Sequence, residues 1–477
     1  MQFINSQPEF KEYRDSLFSS SVLYYRGTFD QSVSSVFKTL DAGRFPTGLR
    51  GNFAFVFVNE KRVVGAVDHN ANFNLFYNQE YVSNVFDDIN DLTAKEKYWT
   101  VEWQKRIFWG GSVGHRTNNV NVIRLEPGTY FNKEVESGHI TVQPYVDLYT
   151  HNYDPTIKVT DIADIIEQVV EEQTREPFNL FWSSGTDSNC ILGFIRKLNR
   201  LDNCQLISLY SKDSITDERR QCEYLQQVYG INVDYMDLGK FIGVTDEVLK
   251  RVYDENESAE YKTNYKRTWA GFWNEPNLFQ KYTTLYDMGI HTKPTLTGEV
   301  GDQIFGSRFG KIILNYLAHI PDPTTEDIAE LFISADAFRF RRAGTQQIPV
   351  WVQSQIDDPG RGAGWNSAKE WTGRTWDKIN TSGDNINKAE LLQYMYKSSH
   401  RVYNYNHLVD CNFQHPFADY RLFHTIFKTP GHWKINNGET RRLSYEVIKD
   451  FVDPGPWKWP KSFINMPMQH AIQPRKP

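Results

Sequence analysis

Dense apolar runs dominate the first 145 residues and predict β-structure there. In the segment 51–59, phenylalanines occupy alternate positions and small aliphatic residues lie between them. Apolar residues on both faces predict a strand that is buried between two layers. A turn at Glu60-Lys61 and a second apolar run over 62–68 predict that this strand forms a hairpin. Further strands are expected at 73–77, 120–125 and 129–131, and a helix is expected over 95–108.

Beyond a polar stretch at 147–155, short apolar runs alternate with amphipathic segments at helical spacing. Strands are predicted at 178–182, 206–210, 232–236 and 294–296, and helices at 162–170, 190–198 and 217–229, with a long helical section to Met288. Such alternation predicts a parallel sheet built from βαβ units. Ligands of these sheets bind at the carboxyl ends of the strands.

The later part of the chain is less regular in pattern. The stretch 333–387 combines the Arg339–Arg342 cluster with several glycines and tryptophans. It predicts an irregular insertion that acts as a lid or specificity element. Helices are expected from Lys388 to the end of the chain.

A chain of 477 residues is too long for one core. We place the boundary in the polar stretch and predict domains at 1–150 and 151–477. The predicted fold class is α/β. A mostly-β layered domain is followed by a parallel-sheet α/β domain whose C-terminal part is helical.

Composition argues against a general nucleic-acid binder, a membrane-spanning protein and a disulfide-bonded secreted protein. The net charge of −6 and the pI near 6.1 lack the basic footprint of a general nucleic-acid binder. No apolar run is long enough for a transmembrane helix, and the first residues lack the pattern of a signal peptide. The four cysteines are scattered without metal-like spacing, which predicts buried free thiols. The expected location is the cytoplasm, without a membrane partner.

One stretch predicts chemistry from its residues alone. The apolar run 178–182 enters the polar loop Ser183-Ser184-Gly185-Thr186-Asp187-Ser188, and a helix follows. A strand, a tight polar loop and a helix can aim backbone N–H groups at an anion. A plain turn between a strand and a helix is the alternative interpretation.

The loop and three later segments resemble motifs of the asparagine synthetase family, within the ATP pyrophosphatases. SSGTDS is similar to SGGxDS, with Ser184 in place of the first glycine. The segment 297–307 is similar to SGEGxDExFGG, and 415–419 is similar to Val-Pro-Phe-x-Asp. A late basic element, Lys458-Trp459-Pro460-Lys461-Ser462-Phe463, matches loosely. The four segments occur in the family's order and span about 161–463.

The first 150 residues also resemble the family's N-terminal domain. GNFAFVFVN with Asp68-His69 and Leu75-Phe76-Tyr77 is similar to GxFAFxxxD…RDxxGxxPLYY, and 125–128 is similar to the LPPG turn. Glutamine-dependent members require a nucleophilic cysteine as residue 2. Here residue 2 is Gln2, no cysteine precedes Cys190, and the glutamine-binding Asn-Gly segment is missing. The resemblance therefore implies a degenerate glutamine-amidotransferase-like domain of the Ntn type, without glutaminase activity.

The resemblance implies ATP and Mg²⁺ as cofactors and assigns roles to individual residues. Glu299 would be the general base and Lys461 a cation for the phosphate charge, while Asp187 and Asp302 would hold magnesium. The implied ATP-binding residues are Phe181, Ser183, Ser184, Gly185, Thr186, Asp187, Ser188, Leu209, Thr297 and Gly298.

Structural alternatives exist for these assignments. Asp187 could be only a helix N-cap, and Glu299 and Lys461 could be solvated charges. Asp302 stands beside Gln303, where the family usually has a second acid. Ser184 costs about 1–2 kcal/mol relative to glycine if its position needs a positive φ, and nothing if it does not.

The leading functional hypothesis is an AMP-forming ligase that adenylates a carboxylate and couples it to ammonia or an amine. The carboxylate could be aspartate, as in asparagine synthesis, or another small molecule or peptide, as in β-lactam synthetases and lasso-peptide cyclases. The alternatives are adenylation of a nucleic-acid base and a non-catalytic scaffold. A homodimer is one assembly that the resemblance allows.

Overall fold

The computed structural model describes residues 1–5, 10–18, 20–71, 73–93, 117, 119, 121–210, 219–237, 292–307, 324, 373–395, 413–437 and 439–459. The helix predicted over 95–108, the helical section before Met288, the Arg339–Arg342 cluster and Lys461 lie outside these residues.

Two sheets are stacked in the N-terminal part. One has six strands in the order β10-β9-β5-β4-β3-β2, and the other has four in the order β1-β7-β6-β8. The strands are β1 (Gln2–Ile4), β2 (Lys11–Tyr13), β3 (Val22–Phe29), β4 (Gly51–Val58), β5 (Arg62–Val67), β6 (Phe76–Tyr77), β7 (Tyr81–Ser83), β8 (Ile123–Arg124), β9 (Thr129–Glu134) and β10 (Ile140–Pro144). Helices α1 (Val33–Asp41) and α2 (Phe86–Asn90) accompany them.

Strand β4 is buried on both faces, as its sequence predicts. Its phenylalanines pack in one cluster with Val36, Phe37 and Leu40 of α1. Ala54 and Val56 belong to a second cluster that includes residues of the four-stranded sheet. The β4–β5 hairpin is also confirmed. Helix α1, whose first turn is capped by the Ser32 side chain, and strand β10 were not predicted.

The C-terminal part contains a five-stranded sheet in the order β13-β12-β11-β14-β15. Every neighbouring pair is parallel. The strands are β11 (Phe178–Phe181), β12 (Cys204–Tyr210), β13 (Asp234–Asp237), β14 (Thr295–Leu296) and β15 (Phe413–Gln414). The predicted fold class is confirmed. The domain boundary stays a prediction; the polar stretch lies between the end of β10 and the first helix of this part.

Helices alternate with the strands of the parallel sheet and occur again toward the end of the chain. They are α3 (Val159–Gln173), α4 (Thr186–Lys197), α5 (Arg219–Tyr229), α6 (Gly301–Phe305), α7 (373–378), α8 (385–395), α9 (Tyr420–Ile426), α10 (Arg442–Glu446) and α11 (Gly455–Lys458). A short antiparallel hairpin, β16 (Ile435–Asn436) with β17 (Glu439–Thr440), precedes α10.

One sequence prediction for the C-terminal part is wrong. The chain after Lys388 is not all helical, because it contains β15 and the β16–β17 hairpin. Strands of two residues are too short to show an alternating pattern. Of the predicted irregular insertion at 333–387, the structure describes only 373–387, and residues 373–378 of it are helical. The role of this stretch as a lid or specificity element stays a prediction.

The prediction of free thiols is confirmed for the described cysteines, Cys190, Cys204 and Cys222. Cys190 and Cys222 are buried in the core around the parallel sheet. Within the described part of the chain, no helix has the length and apolarity needed to cross a membrane.

Candidate active site

The order of the parallel strands places the predicted polar loops side by side. Strand β14 pairs directly with β11, so the loops 183–188 and 297–302 leave the same edge of the sheet. Strand β15 pairs with the other side of β14 and leads into 415–419. His415 Nδ1 lies 2.8 Å from Thr297 Oγ1. Three of the four motif segments therefore meet at one carboxyl edge.

The loop 183–188 is held in shape by its own side chains. The Ser188 hydroxyl accepts a hydrogen bond from Ser183 N at 3.1 Å and lies 3.1 Å from Ser183 O. Asn189 Nδ2 donates to Ser183 O at 3.0 Å and to Gly185 O at 2.8 Å. Trp182 Nε1 in turn fixes the Asn189 amide at 3.2 Å. These bonds define a tight turn from which α4 begins at the sheet edge.

Ser184 does not strain this loop. Its φ is not positive, since it is not among the described residues with a positive φ. Serine therefore does not carry the free-energy cost of a left-handed backbone conformation at this position. Its hydroxyl donates to Gln221 Oε1 of α5 at 2.9 Å. The substitution of serine for the motif's glycine therefore ties the loop to a neighbouring helix.

We expect Ser184→Gly to lower the free energy of unfolding by about 1–2 kcal/mol, because it removes this hydrogen bond and adds backbone freedom to the unfolded chain. Urea unfolding of Ser184→Gly, Gln221→Ala and the double variant measures the coupling free energy between the two side chains. A coupling energy of about 1 kcal/mol is expected. Strictly additive effects of the two changes would show that the bond contributes nothing.

Two glycines of the second loop allow its backbone to touch Asp187. A Cβ atom at Gly298 would lie 2.9 Å from Asp187 Cβ, and one at Gly301 would lie 2.7 Å from Asp187 Cγ. Neither glycine has a positive φ, so close approach is the reason for both. The two loops thus pack backbone against side chain, and any larger residue would separate them.

Val300 lies between these glycines in a strained conformation. Its φ is 71°, and a β-branched residue in this region is an outlier that costs about 1–2 kcal/mol. The motif has its second glycine at this position. Val300 is only 4% exposed, and its carbonyl accepts hydrogen bonds from Gln303 N and Ile304 N. Core packing and these bonds hold the turn that starts α6.

The far end of α6 is also fixed by a buried acid. Glu390 of α8 is fully buried, and its Oε1 accepts hydrogen bonds from Ser307 N at 2.7 Å and Ser307 Oγ at 2.9 Å. Both ends of the short helix that carries Asp302 are therefore anchored.

The carboxylates of Asp187 and Asp302 converge on one guanidinium. Arg441 Nη2 lies 3.1 Å from Asp187 Oδ2 and contacts Asp302 Oδ1. Arg441 Nη1 donates to Thr186 Oγ1 at 2.6 Å. The Asp187 and Asp302 side chains are 18% and 31% exposed, while that of Arg441 is 9% exposed. The site thus opens to solvent on the side of the acids.

Residues 281–476 match the family model for asparagine synthase. The matched segment, about two fifths of the chain, is similar to the asparagine synthetase family. This match supports an ATP-dependent enzyme of the ligase type. The match includes the loop 297–302, His415 and Arg441, whereas the loop 183–188 precedes it.

Over longer stretches, the similarity of this chain to known proteins is weak. No curated protein matches this chain significantly. The U34-tRNA thiolase NcsA of Methanococcus maripaludis is similar at 10% identity over 53% of this chain and 88% of its own, with a TM-score of 0.23. The glutamine phosphoribosylpyrophosphate amidotransferase of B. subtilis is similar at 11% identity over 50% of each chain, with a TM-score of 0.16. Superpositions this poor support no functional conclusion.

The two acids fit the magnesium ion that the family implies. Asp187 Oδ2 and Asp302 Oδ1 approach one nitrogen, so two oxygens from different loops face a common point. Oxygen donors suit this hard cation, which usually keeps waters and phosphate oxygens as its other ligands. The described residues contain no cluster of three or more metal-ligating side chains. A cation here would have two protein carboxylates, because the buried Gln303 amide replaces the family's second acid.

The structure brings together most residues that the sequence assigned to the site. Thr297 is buried at the end of β14, and Glu299 is half-buried, with its N–H donating to Thr297 Oγ1 at 3.2 Å. Phe181 ends β11, Leu209 is the last but one residue of the neighbouring β12, and both are buried. Their roles stay predictions, and Lys461 lies outside the described residues.

Sequence reasoning missed Arg441, Asn189 and Gln221. Arg441 follows a short hairpin and stands beside Arg442, a half-exposed residue that lies near Glu446. The two arginines have the same chemistry, and only the tertiary structure separates the site residue from the surface residue. Asn189 could have been found from the sequence, because a polar residue directly after the loop 183–188, at the start of a helix, can bond to the loop's backbone.

Proposed function

We propose that this protein is an ATP-dependent ligase that adenylates a carboxylate and couples it to ammonia or an amine, releasing pyrophosphate and AMP. One observation carries the proposal. Asp187 and Asp302, from two motif loops, face the same point at the carboxyl edge of the parallel sheet, where Gly298 and Gly301 permit contact between the loops.

The loop 183–188 and the first turn of α4 would bind the pyrophosphate end of ATP. Backbone N–H groups at a helix N-terminus attract anions, and this helix has 12 residues. Asp187 and Asp302 would hold magnesium, which neutralises phosphate charge when bound. Phe181 and Leu209 offer apolar surface for the adenosine end. Lys461 would contribute a further positive charge.

The proposed reaction has two balanced steps. A substrate carboxylate oxygen attacks the α-phosphorus, and the bond between that phosphorus and the bridging oxygen breaks to release pyrophosphate. A nitrogen nucleophile then attacks the acyl carbon of the adenylate, the acyl C–O bond breaks, and AMP leaves. Glu299 would accept the proton that the nitrogen loses. Such a base contributes about 10²–10⁴-fold.

The nitrogen would come directly from the substrate rather than from glutamine. No cysteine occurs among residues 3–189, and covalent attack on glutamine would need a nucleophile of that kind. We therefore expect ammonia or a substrate amine to support the reaction and glutamine to fail as a nitrogen donor.

Substrate-dependent pyrophosphate release tests the proposal. The full chain is incubated with ATP, Mg²⁺, and a panel of amino-acid and peptide carboxylates, with ammonium or amines as nucleophiles. Active combinations should yield AMP and pyrophosphate in equal amounts. Asp187→Asn should lower the rate by about 100-fold or more, since even partners of metal ligands contribute 10–100-fold.

The matched control is Asp202→Asn, which changes an exposed carboxylate just before the start of β12, at the edge of the sheet opposite the loops, and should leave the rate unchanged. Production of ADP and phosphate, or no response to any carboxylate, would contradict an AMP-forming ligase. An equal rate for Asp187→Asn and the unmutated chain would place the chemistry elsewhere.

A further inference from the structure

Arg441 fills the gap that a divalent cation would need. Its Nη2 atom lies between Asp187 Oδ2, at 3.1 Å, and Asp302 Oδ1, which it contacts. Magnesium binds oxygen at about 2.0–2.1 Å, so a cation bound to both oxygens would occupy the same gap. The guanidinium and the cation cannot share it.

The backbone holds this guanidinium at the site. Arg441 has a φ of 63° and a ψ of 23°, in the left-handed region, between strand β17 and helix α10. Non-glycine residues in this region persist only when their surroundings fix them, and they are common at functional sites. The side chain is mostly buried, and its Nη1 atom donates a hydrogen bond to Thr186 of the loop 183–188.

The charges also favour an exchange of partners. With Arg441 in place, the three side chains carry a net charge of about −1, since both acids are near solvent and Arg is always charged. A divalent cation would neutralise both carboxylates and leave the guanidinium without an anionic partner. The hydrogen bond to Thr186 keeps the Arg441 guanidinium beside the loop 183–188, where phosphate oxygens would lie. Arg binds phosphate oxygens in a bidentate manner.

We propose that Arg441 is an exchangeable cation: it bridges Asp187 and Asp302 in the metal-free protein and turns to the phosphate oxygens of ATP when a divalent cation takes the two carboxylates. The second half rests on the proposed function, whereas the first half does not. Arg441 therefore weakens metal binding before ATP arrives and strengthens binding of the polyphosphate afterwards.

Mn²⁺ binding without nucleotide tests the first half. Free Mn²⁺ is measured by electron paramagnetic resonance with the unmutated chain, Arg441→Met, and Arg441→Met combined with Asp302→Asn. Arg441→Met should bind Mn²⁺ at least 10-fold more tightly than the unmutated chain, and the double variant should lose that gain. Arg442→Met is the matched control and should stay within about twofold, because Arg442 is half-exposed and lies 3.9 Å from Glu446.

Calorimetric titration with pyrophosphate at saturating Mg²⁺ tests the second half. Arg441→Met should bind pyrophosphate at least 10-fold more weakly than the Arg442→Met control. Circular dichroism establishes folding, and Arg441→Lys replaces Arg441→Met if the latter does not fold. The single ammonium group of lysine, on a shorter side chain, cannot bridge both carboxylates. Arg441→Lys should therefore bind Mn²⁺ at least threefold more tightly than the unmutated chain.

An unchanged Mn²⁺ affinity in the folded variant would overturn the proposal, whatever the enzymatic result. An absence of pyrophosphate release with every carboxylate would instead contradict the proposed function and leave the Mn²⁺ result decisive for Arg441.

Discussion

Gly301→Ala is expected to lower pyrophosphate release by about 100-fold, because small misplacements of reacting groups have effects of this size. The new Cβ would lie 2.7 Å from Asp187 Cγ and 3.0 Å from Asp187 Cβ. Real Cβ atoms do not approach other atoms so closely, so the two loops must move apart. Because the clash involves Asp187 Cβ as well as its carboxylate, rotation of the Asp187 side chain alone cannot relieve it.

The control for this variant is Gly193→Ala on the same helix as Asp187. Its Cβ would meet Val452 Cγ1 at 2.8 Å, so it crowds the core to a similar degree. Both variants should lose about 1–3 kcal/mol of stability from overpacking. Only Gly301→Ala should lose activity beyond a fewfold. Equal activity of the two variants, measured by pyrophosphate release and urea unfolding, would contradict the proposed contact between the loops.

Lowering the pH from 7 to 5 is expected to reduce the free energy of unfolding by at least about 4 kcal/mol. The buried His151 and the half-buried His424 account for this figure, and the buried His69 adds to the loss. The His424 ring lies 6.2 Å from the His69 ring and 6.1 Å from the His151 ring. His69 belongs to the N-terminal part and His424 to α9, so this cluster joins the two parts of the chain.

Burial is the main cause of the lowered pKa values. Burial, with the charges of His424 and Lys434, lowers the pKa of His151 to about 4. Burial, with Arg50 and Lys428, likewise lowers the pKa of His424 to about 4. Burial and His424 lower the pKa of His69 well below its usual value, and Asp68 Oδ1 lies 3.9 Å from its Nδ1.

The sign of the effect follows from proton binding. An exposed histidine in the unfolded chain has a pKa of about 6.5, so between this value and about 4 the unfolded state binds more protons than the folded state. Stability is therefore complete above about pH 6.5 and falls as the pH decreases. His151 and His424 each contribute about 2 kcal/mol to the loss by pH 5.

Urea unfolding at several pH values measures this dependence. His424→Gln should remove about 2 kcal/mol of the change between pH 7 and pH 5. His139→Gln, which alters an exposed side chain on the β9–β10 hairpin, should leave the dependence unchanged. Identical pH dependence in His424→Gln and the unmutated chain would show that the cluster does not control acid stability.

Local patterns were sufficient for most of the sheet elements. Short apolar runs predicted β4, β5, β11, β12 and β14, because most of their side chains are buried. The motif order also predicted that Asp187 and Asp302 would meet. Among the two-residue strands, β14 was predicted, whereas β15 and β16 were not, because so short an element shows no alternating pattern.

The sequence by itself determined the family resemblance, the two carboxylates and the parallel sheet that brings them together. Each of these depends on residues close in the chain or on the direction of neighbouring strands. Only the tertiary structure decided that Arg441 rather than Arg442 reaches the acids, that Ser184 bonds to Gln221, and that Gly301 touches Asp187. These contacts join residues 37 to 255 positions apart or depend on ångström-scale clearance, which side-chain type and local spacing do not encode.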